Sequence, residues 1–389
     1  MTVKETLAKL VSIDSVSSRS NSEIVAYLEK RCEAAGLKVR RFPYTDESGV
    51  EKLNMVAQTS VCDSTGQTSI FDSQAEACAT VELALVGHTD TVPYDPSWSE
   101  ALHLTERDGK LYGRGACDTK AFIAAALAAL ESLNLGSLKR PLALVFTADE
   151  EVGCLGAKRL AAARPFHARY AIVGEPTSLQ PMRAGKGYSL AEIIVHGREA
   201  HSAYPAIGRS AIFRAARLIS IIERIGEELK LEEQAGFDPP YTSLNIGILK
   251  GGTAKNIIAG ECYFTLEWRP IPNQKSDHVL ERVKNAVEEL QKQDPEFSCD
   301  INAARADESF ETPADSPLVQ FLEATSGWQS GAVAFGTEAP QMIFLGAEAV
   351  VFGPGDIRVA HRTGEFVPVD QLENCVEILK SAIMQLCAN

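Results

Sequence analysis

His88, Asp90, Asp118, Glu150, Glu151, Glu175 and His361 are residue types that hold divalent cations and move protons. Five of them stand at or just beyond the ends of short apolar runs. Val81–Val86 leads into Gly87-His88-Thr89-Asp90, Leu142–Phe146 into Thr147-Ala148-Asp149-Glu150-Glu151, and Tyr170–Val173 into Gly174-Glu175-Pro176. Each run reads as a buried strand, and open α/β sheets gather their sites at the carboxyl ends of strands. Carboxylate oxygens together with imidazole suit zinc or a similar divalent ion, with no thiolate needed. Two histidines and three carboxylates exceed what one tetrahedral ion with an open position can use. They suffice for two ions, roughly 3.5–4 Å apart, that share one carboxylate and one water and make that water a hydroxide at neutral pH.

Adjacency adds to this. Successive side chains on an extended segment point opposite ways, so one member of Glu150-Glu151 can bind metal while the other faces substrate. Asp90, two residues after His88, lies on the same side of an extended segment and is placed to hold the second imidazole nitrogen. Taken singly, these residues say little. HTD and DEE are ordinary turn chemistry, a lone His361 is commonly structural, and Asp118 in GRGACDTK would cap the alanine-rich helix expected over Ala121–Leu133. Their joint arrival at strand ends is what argues for chemistry.

The elements that must carry them alternate amphipathic helices with apolar runs over the first 180 residues. That is the pattern of an α/β layer structure with a mainly parallel sheet flanked by helices. A helix is expected over Ser22–Ala35, with Ile24, Val25, Leu28 and Cys32 on one face. From about Pro181 the texture changes to strand Ser189–His196, helix Arg209–Leu231, strands Tyr241–Leu249 and Glu261–Trp268, helix Ser276–Gln293 and strand Phe297–Ala303. This β-α-β-β-α-β order is ferredoxin-like. The α/β pattern resumes near Ser316 and closes with Asp370–Leu386. The expected organisation is thus a discontinuous catalytic domain, 1–180 and 300–389, interrupted by an inserted α+β domain over 181–299. Residues 59–80, rich in Ser, Thr, Gln and Asp, read as a long surface insertion.

Composition narrows the partners. A formal charge of −14 argues against nucleic acid, because phosphate binding needs clustered Lys and Arg. No stretch approaches the roughly 20 apolar residues of a membrane helix. The N-terminus MTVKETLAKLVSIDS reads as an amphipathic helix rather than a signal peptide. The 9 cysteines lack CxxC spacing and read as reduced thiols, so a cytoplasmic protein is expected.

Longer motifs carry a resemblance: GHTDTVPYD at 87–95, LTERDGKLYGRGACDTK at 104–120, TADEE at 147–151, GEPTSLQPMRAGKG at 174–187, GGTAKNI at 251–257, GTEAP at 336–340 and FGPGDIRVAH at 352–361. With these, nearly the whole chain outside 59–80 resembles the co-catalytic zinc aminoacylases and carboxypeptidases, whose fold is a zinc-peptidase-like sheet domain with an inserted lid and dimerisation domain. The resemblance implies two divalent ions per subunit, zinc with cobalt or manganese also tolerated. His88, Asp118 and Glu175 would hold one, and Asp118, Glu151 and His361 the other, with Asp118 as the bridge. Glu150 would be the general base, and Asp90 the partner of His88. His201 in GREAHSAYP would stabilise the oxyanion, reaching the site from the partner subunit of a homodimer. Asn256 and Arg269 match positions near the substrate. Arg269 suits either an α-carboxylate clamp or an inter-domain ion pair. The chain departs from relatives at Thr119 and Ala121, where Met and Gly are common, and at Gly364, where an acid is frequent.

The implied activity is hydrolysis of a small N-acyl amino acid. Within the family, a desuccinylase or a dipeptidase is the alternative, and an inactive metal-binding scaffold is a third reading. The last is disfavoured by the intact Glu150.

Overall fold

The structure, a computed structural model, describes residues 1–59 and 79–388. The insertion expected over 59–80 lies almost wholly outside the described residues, as do Cys62 and Cys78; the other 7 cysteines are free thiols. The chain forms two compact units. One comprises Met1–Arg183, Thr312–Gly331 and Thr337–Asn389, and the other Ala184–Glu311 with Ala332–Gly336. The return to the first unit comes later than residue 300 because the strand expected to end at Ala303 runs over Ser298–Asp307. Each unit has its own apolar core.

In the first unit six strands lie in the order Lys38–Thr45, Glu51–Gln58, Leu142–Thr147, Ala79–His88, Phe166–Val173, Glu348–Val351. The first two are antiparallel to their neighbours, and the last four are mutually parallel. Leu142–Thr147 is buried along its whole length, as parallel strands covered on both faces must be. The register brings the parallel strands to a common end. His88 opposes Thr147, and Val173 opposes both Val86 and Val351. The fourth parallel strand, Glu348–Val351, escapes the sequence pattern. Four residues, three of them apolar, are too few to separate from a loop by periodicity.

Helix Lys120–Glu131 packs on this sheet and against helices Val3–Ser12 and Val369–Ile383. Its alanines keep it close. A Cβ on Gly174 would fall 2.2 Å from the Phe122 ring, and one on Gly87 3.0 Å from Ile123. That proximity sets the start of the helix beside two strand ends. Its cap residue is Thr119, without a side-chain capping bond. Asp118 therefore does not cap the helix; its carboxylate is spent elsewhere.

The second unit has strands Tyr188–His196, Ser243–Gly251, Glu261–Arg269 and Ser298–Asp307 with helices Ala211–Leu229 and His278–Gln293. In chain order the antiparallel sheet runs fourth, first, third, second, the ferredoxin-like arrangement. Ile193, Val195, Phe264, Leu266 and Trp268 alternate inward against Leu218 and Ile222 of one helix and Val279 and Val283 of the other. Ser243–Gly251 is an edge strand with Ile248 and Leu249 exposed. Among the described residues no helix is long and apolar enough to cross a membrane.

Candidate metal centre

The parallel strand ends deliver the site. His88 is the last residue of its strand, and Glu150-Glu151 follow the strand ending at Thr147. Glu175 follows the strand ending at Val173, and His361 lies on the chain beyond Val351. Asp118 arrives just before helix Lys120–Glu131, where the Thr119 hydroxyl donates to the Gly174 carbonyl at 2.8 Å and ties the Asp118 loop to the Glu175 loop.

Asp118 stands at the centre. Its Oδ1 lies 3.0 Å from His88 Nε2, and its Oδ2 lies 3.2 Å from His361 Nε2. His361 Nε2 is also 3.0 Å from Glu151 Oε2. Ligand atoms of His88, Asp118 and Glu175 fall within 4.8 Å of one another, and so do those of Asp118, Glu151 and His361. One carboxylate is common to both groups.

The electrostatics call for cations here. Burial alone would lower the pKa of the His88 imidazole, but hydrogen bonds with Asp118 and then Asp90 outweigh it and hold it well above the usual range. Hydrogen bonds with Asp118 and Glu151 push His361 to about 10. Burial would raise Asp118, yet His361 and then His88 hold it below the ordinary aspartate value. Glu175 is raised well above its usual value by burial, then by the charges of Asp118 and Glu150. Glu151 is raised by burial and then Asp118, and its buried Oε1 has no hydrogen-bond partner. Burial pushes Glu150 to about 8, opposed by His88 and reinforced by Glu151. The donor set is one that two divalent ions suit: oxygen and nitrogen donors, one shared carboxylate, and an orphan oxygen. The residues present fit such ions.

The outer contacts are specific. His88 Nδ1–H donates to the Asp90 backbone carbonyl at 3.1 Å, with the Asp90 carboxylate farther off at 3.7 Å. The second imidazole nitrogen is therefore held chiefly by the Asp90 main chain, where the sequence suggested its side chain. A carbonyl can only accept, so Nδ1 carries a proton and Nε2 is the nitrogen turned toward the site. The Asp90 carboxylate instead accepts the Glu150 amide at 3.1 Å, the Glu151 amide at 3.3 Å and the Ser17 hydroxyl at 2.7 Å. Glu365 Oε1 accepts the amides of Cys117 and Asp118 at 2.9 and 3.1 Å, while its Oε2 accepts from Arg114 at 2.5 Å. The Cys154 thiol donates to Glu150 Oε1 at 3.3 Å. Glu338, buried with one unpartnered oxygen, is pushed to about 7 by burial. His361 itself has a left-handed φ of 61°, a conformation uncommon outside glycine and concentrated at functional sites.

Sequence reasoning assigned no role to Ser17, Arg114, Cys154, Glu338 or Glu365. The last two lie inside or beside quoted motifs, but Glu338 is marked by its burial and Glu365 by the backbone amides it accepts, which spacing does not reveal. His201, Asn256 and Arg269 belong to the second unit. His201 pairs with Ile257 in a two-residue ladder, and the Ser202 amide donates to the Asn256 carbonyl at 3.0 Å, so these two segments are neighbours. His201 is exposed, and its Nδ1 accepts the Ala203 amide at 3.1 Å. Arg269 donates from Nε to Glu267 at 2.9 Å and stacks 3.8 Å over the Tyr188 ring.

The sequence pattern of peptidase family M20/M25/M40 matches residues 84–385. Over 386 residues the chain is 50% identical to an acetylornithine deacetylase of Myxococcus xanthus, covering 99% of this chain and 97% of that protein. It is 32% identical over 394 residues to an acetylornithine deacetylase of Aliivibrio fischeri (strain ATCC 700601 / ES114), covering 99% and 98%. Among solved structures, aminopeptidase PepT from Bacillus cereus ATCC 10987 aligns with a TM-score of 0.74 at 21% identity, covering 99% of this chain and 98% of that one. An M20 family metallo-carboxypeptidase from Sulfolobus solfataricus aligns with the same TM-score at 18% identity and the same coverage. These last two likenesses are of fold alone.

Proposed function

We propose a function for this chain from one premise: it belongs to peptidase family M20/M25/M40. It is a metal-dependent amidohydrolase that cleaves N2-acetylornithine to ornithine and acetate, a step of arginine biosynthesis in the cytoplasm. The observation that carries the chemistry is the shared Asp118, whose two oxygens face two different imidazoles. The substrate is carried by the 50% identity to an acetylornithine deacetylase, which extends over 99% of the chain.

Two divalent ions, zinc or alternatively cobalt or manganese, held by His88, Asp118 and Glu175 and by Asp118, Glu151 and His361, would supply Lewis acidity and an acidified water. The protein's own residues do the rest. Glu150, flanking these ligands without belonging to either group, takes the proton of the attacking water on its carboxylate. As the carbon–nitrogen bond breaks, it returns that proton to the departing α-amine, so that acetate and ornithine leave and the carboxylate is regenerated. Asp90 holds the backbone of Glu150 and Glu151 for this exchange. Its grip on two successive amides fixes which side chain faces the ligands.

His201, Asn256 and Arg269 serve the substrate. Because His201 Nδ1 accepts an amide, its neutral imidazole carries the proton on Nε2, the form that donates to an oxyanion. The Arg269 guanidinium, with Nε taken by Glu267, offers its remaining nitrogens to the α-carboxylate. The inserted unit also makes a homodimer. Its edge strand Ser243–Gly251 exposes Ile248 and Leu249, and an unpaired apolar edge is an aggregation hazard unless a partner covers it. In this dimer His201 acts on the partner subunit's metal centre.

Two experiments test the reading. In a panel of N2-acetylornithine, N-succinyl-diaminopimelate and dipeptides, kcat/KM is expected to be highest for acetylornithine by at least tenfold. Preference for either other class would replace the substrate while leaving the chemistry intact. Mixing His201→Ala with Glu150→Ala subunits should restore part of the activity that both parent homodimers lack, since a mixed dimer holds one site with both residues intact. No recovery in subunits shown by mass spectrometry to exchange would remove His201 from the partner's site.

A further inference from the structure

Lys52 is one of the largest side chains fully buried in the protein, at 1% exposure, in a strand whose residues are otherwise almost all buried. A lysine is seldom buried without partners. Its Nζ donates to the Ser17 carbonyl, to the Arg19 carbonyl at 2.9 Å, and to Asp149 Oδ1 at 2.8 Å; Asp46 stands at 3.7 Å. Asp149, equally buried, has a left-handed φ of 57° and accepts the Tyr44 hydroxyl at 2.8 Å. Two residues along the same strand, on the same side of the pleat, Asn54 accepts the Ala148 amide at 3.0 Å and donates to the Gly156 carbonyl at 2.9 Å. One side of Glu51–Gln58 thus grips both ends of the turn that carries Glu150 and Glu151.

These contacts close a ring. Lys52 holds the Ser17 carbonyl, the Ser17 hydroxyl holds the Asp90 carboxylate, Asp90 holds the Glu150 and Glu151 amides, and Asp149, next in the chain, returns to Lys52. We propose that Lys52 is a positioning residue of the hydrolase, its buried ammonium closing a ring of hydrogen bonds that fixes where Glu150 stands. The inference rests on the reading of Glu150 as the general base. Lys52 touches neither substrate nor ligands; it acts by forbidding the turn to rotate. A left-handed aspartate before the base is a conformation the chain leaves readily once the grip is gone.

Replacing Lys52 alone would leave the Asp149 carboxylate buried without its cation, which threatens folding. The test is therefore the charge-neutral pair Lys52→Met/Asp149→Asn, with Ser17→Ala as a variant that removes a single hydroxyl. Wild type and Glu150→Gln are the references, all zinc-loaded and assayed on N2-acetylornithine. The pair should melt within a few degrees of wild type and bind two zinc equivalents. Its kcat should nevertheless fall about 10–100-fold, the usual cost of losing an outer contact of such a site, with KM changed less than about threefold. Ser17→Ala should lower kcat alone in the same way and add little in the Lys52 background, because members of one network are not additive. Wild-type kcat in a folded, metal-loaded pair overturns the inference. So does wild-type kcat in Ser17→Ala, which decides the matter alone should the pair not fold. An inactive wild type, or an active Glu150→Gln, would instead overturn the reading of the reaction itself.

Discussion

Glu150→Gln is expected to lower kcat by about 10²–10⁴-fold while the protein still binds two metal equivalents. The carboxylate lies beside the ligand groups and belongs to neither. Its main chain is fixed by Asp90 and one of its oxygens accepts the Cys154 thiol. Glutamine keeps the size and the acceptor oxygen, so it removes the capacity to take a proton and little else. Metal analysis and steady-state kinetics on the same preparation check this. Should one metal equivalent disappear together with activity, Glu150 is a ligand and Glu151 the base, and the assignment of this adjacent pair is reversed.

Asp118→Asn and exhaustive chelation are expected to converge on the same outcome, activity at background. The carboxylate is shared, so its conversion to an amide weakens both ligand groups together. Glu175→Gln and Glu151→Gln should each weaken one. Chelated wild type should regain activity with zinc or cobalt, and Asp118→Asn should not. A readout independent of turnover comes from stability. An ion present at a hundred times its Kd stabilises the folded state by about 2.7 kcal/mol per site. Denaturation of wild type with and without zinc should therefore differ by a few kcal/mol. In Asp118→Asn the difference should nearly vanish. Full activity in protein shown by elemental analysis to be metal-free would end the two-ion reading.

How much of this was legible in the sequence depends on the range of the forces involved. The parallel sheet, the ferredoxin-like unit and the helices over Ser22–Ala34 and Ala211–Leu229 follow from local patterning, because burial on one face imposes a period on the chain. The residues at strand ends were legible for the same reason. A buried strand that terminates in His88 or leads into Glu175 has carried a polar group to the rim of a sheet. The resemblance to a known family then supplied roles, among them the shared ligand Asp118, that spacing could not.

Tertiary structure decided what depends on distant segments meeting. The fourth parallel strand, Glu348–Val351, is too short to show a period and exists because Phe166–Val173 offers it an edge. Taken alone, Asp118 could have been a helix cap; it is turned toward His88 and His361, because a charge-assisted contact between buried groups outweighs a cap worth about 1 kcal/mol. Asp90 was expected to hold the imidazole with its carboxylate. Its main-chain carbonyl, at 3.1 Å, is the nearer acceptor, while the carboxylate, at 3.7 Å, is drawn to two amides and the hydroxyl of Ser17, 73 residues away. Lys52, in sequence a charge beside Glu51 at the start of a strand, meets Asp149 because that strand lies next to the one Asp149 follows, and Glu365 meets the Asp118 amide across 247 residues. Periodicity is written into every short segment, since water acts on each residue locally. The partner of a buried polar group is decided only when the whole chain has excluded that water.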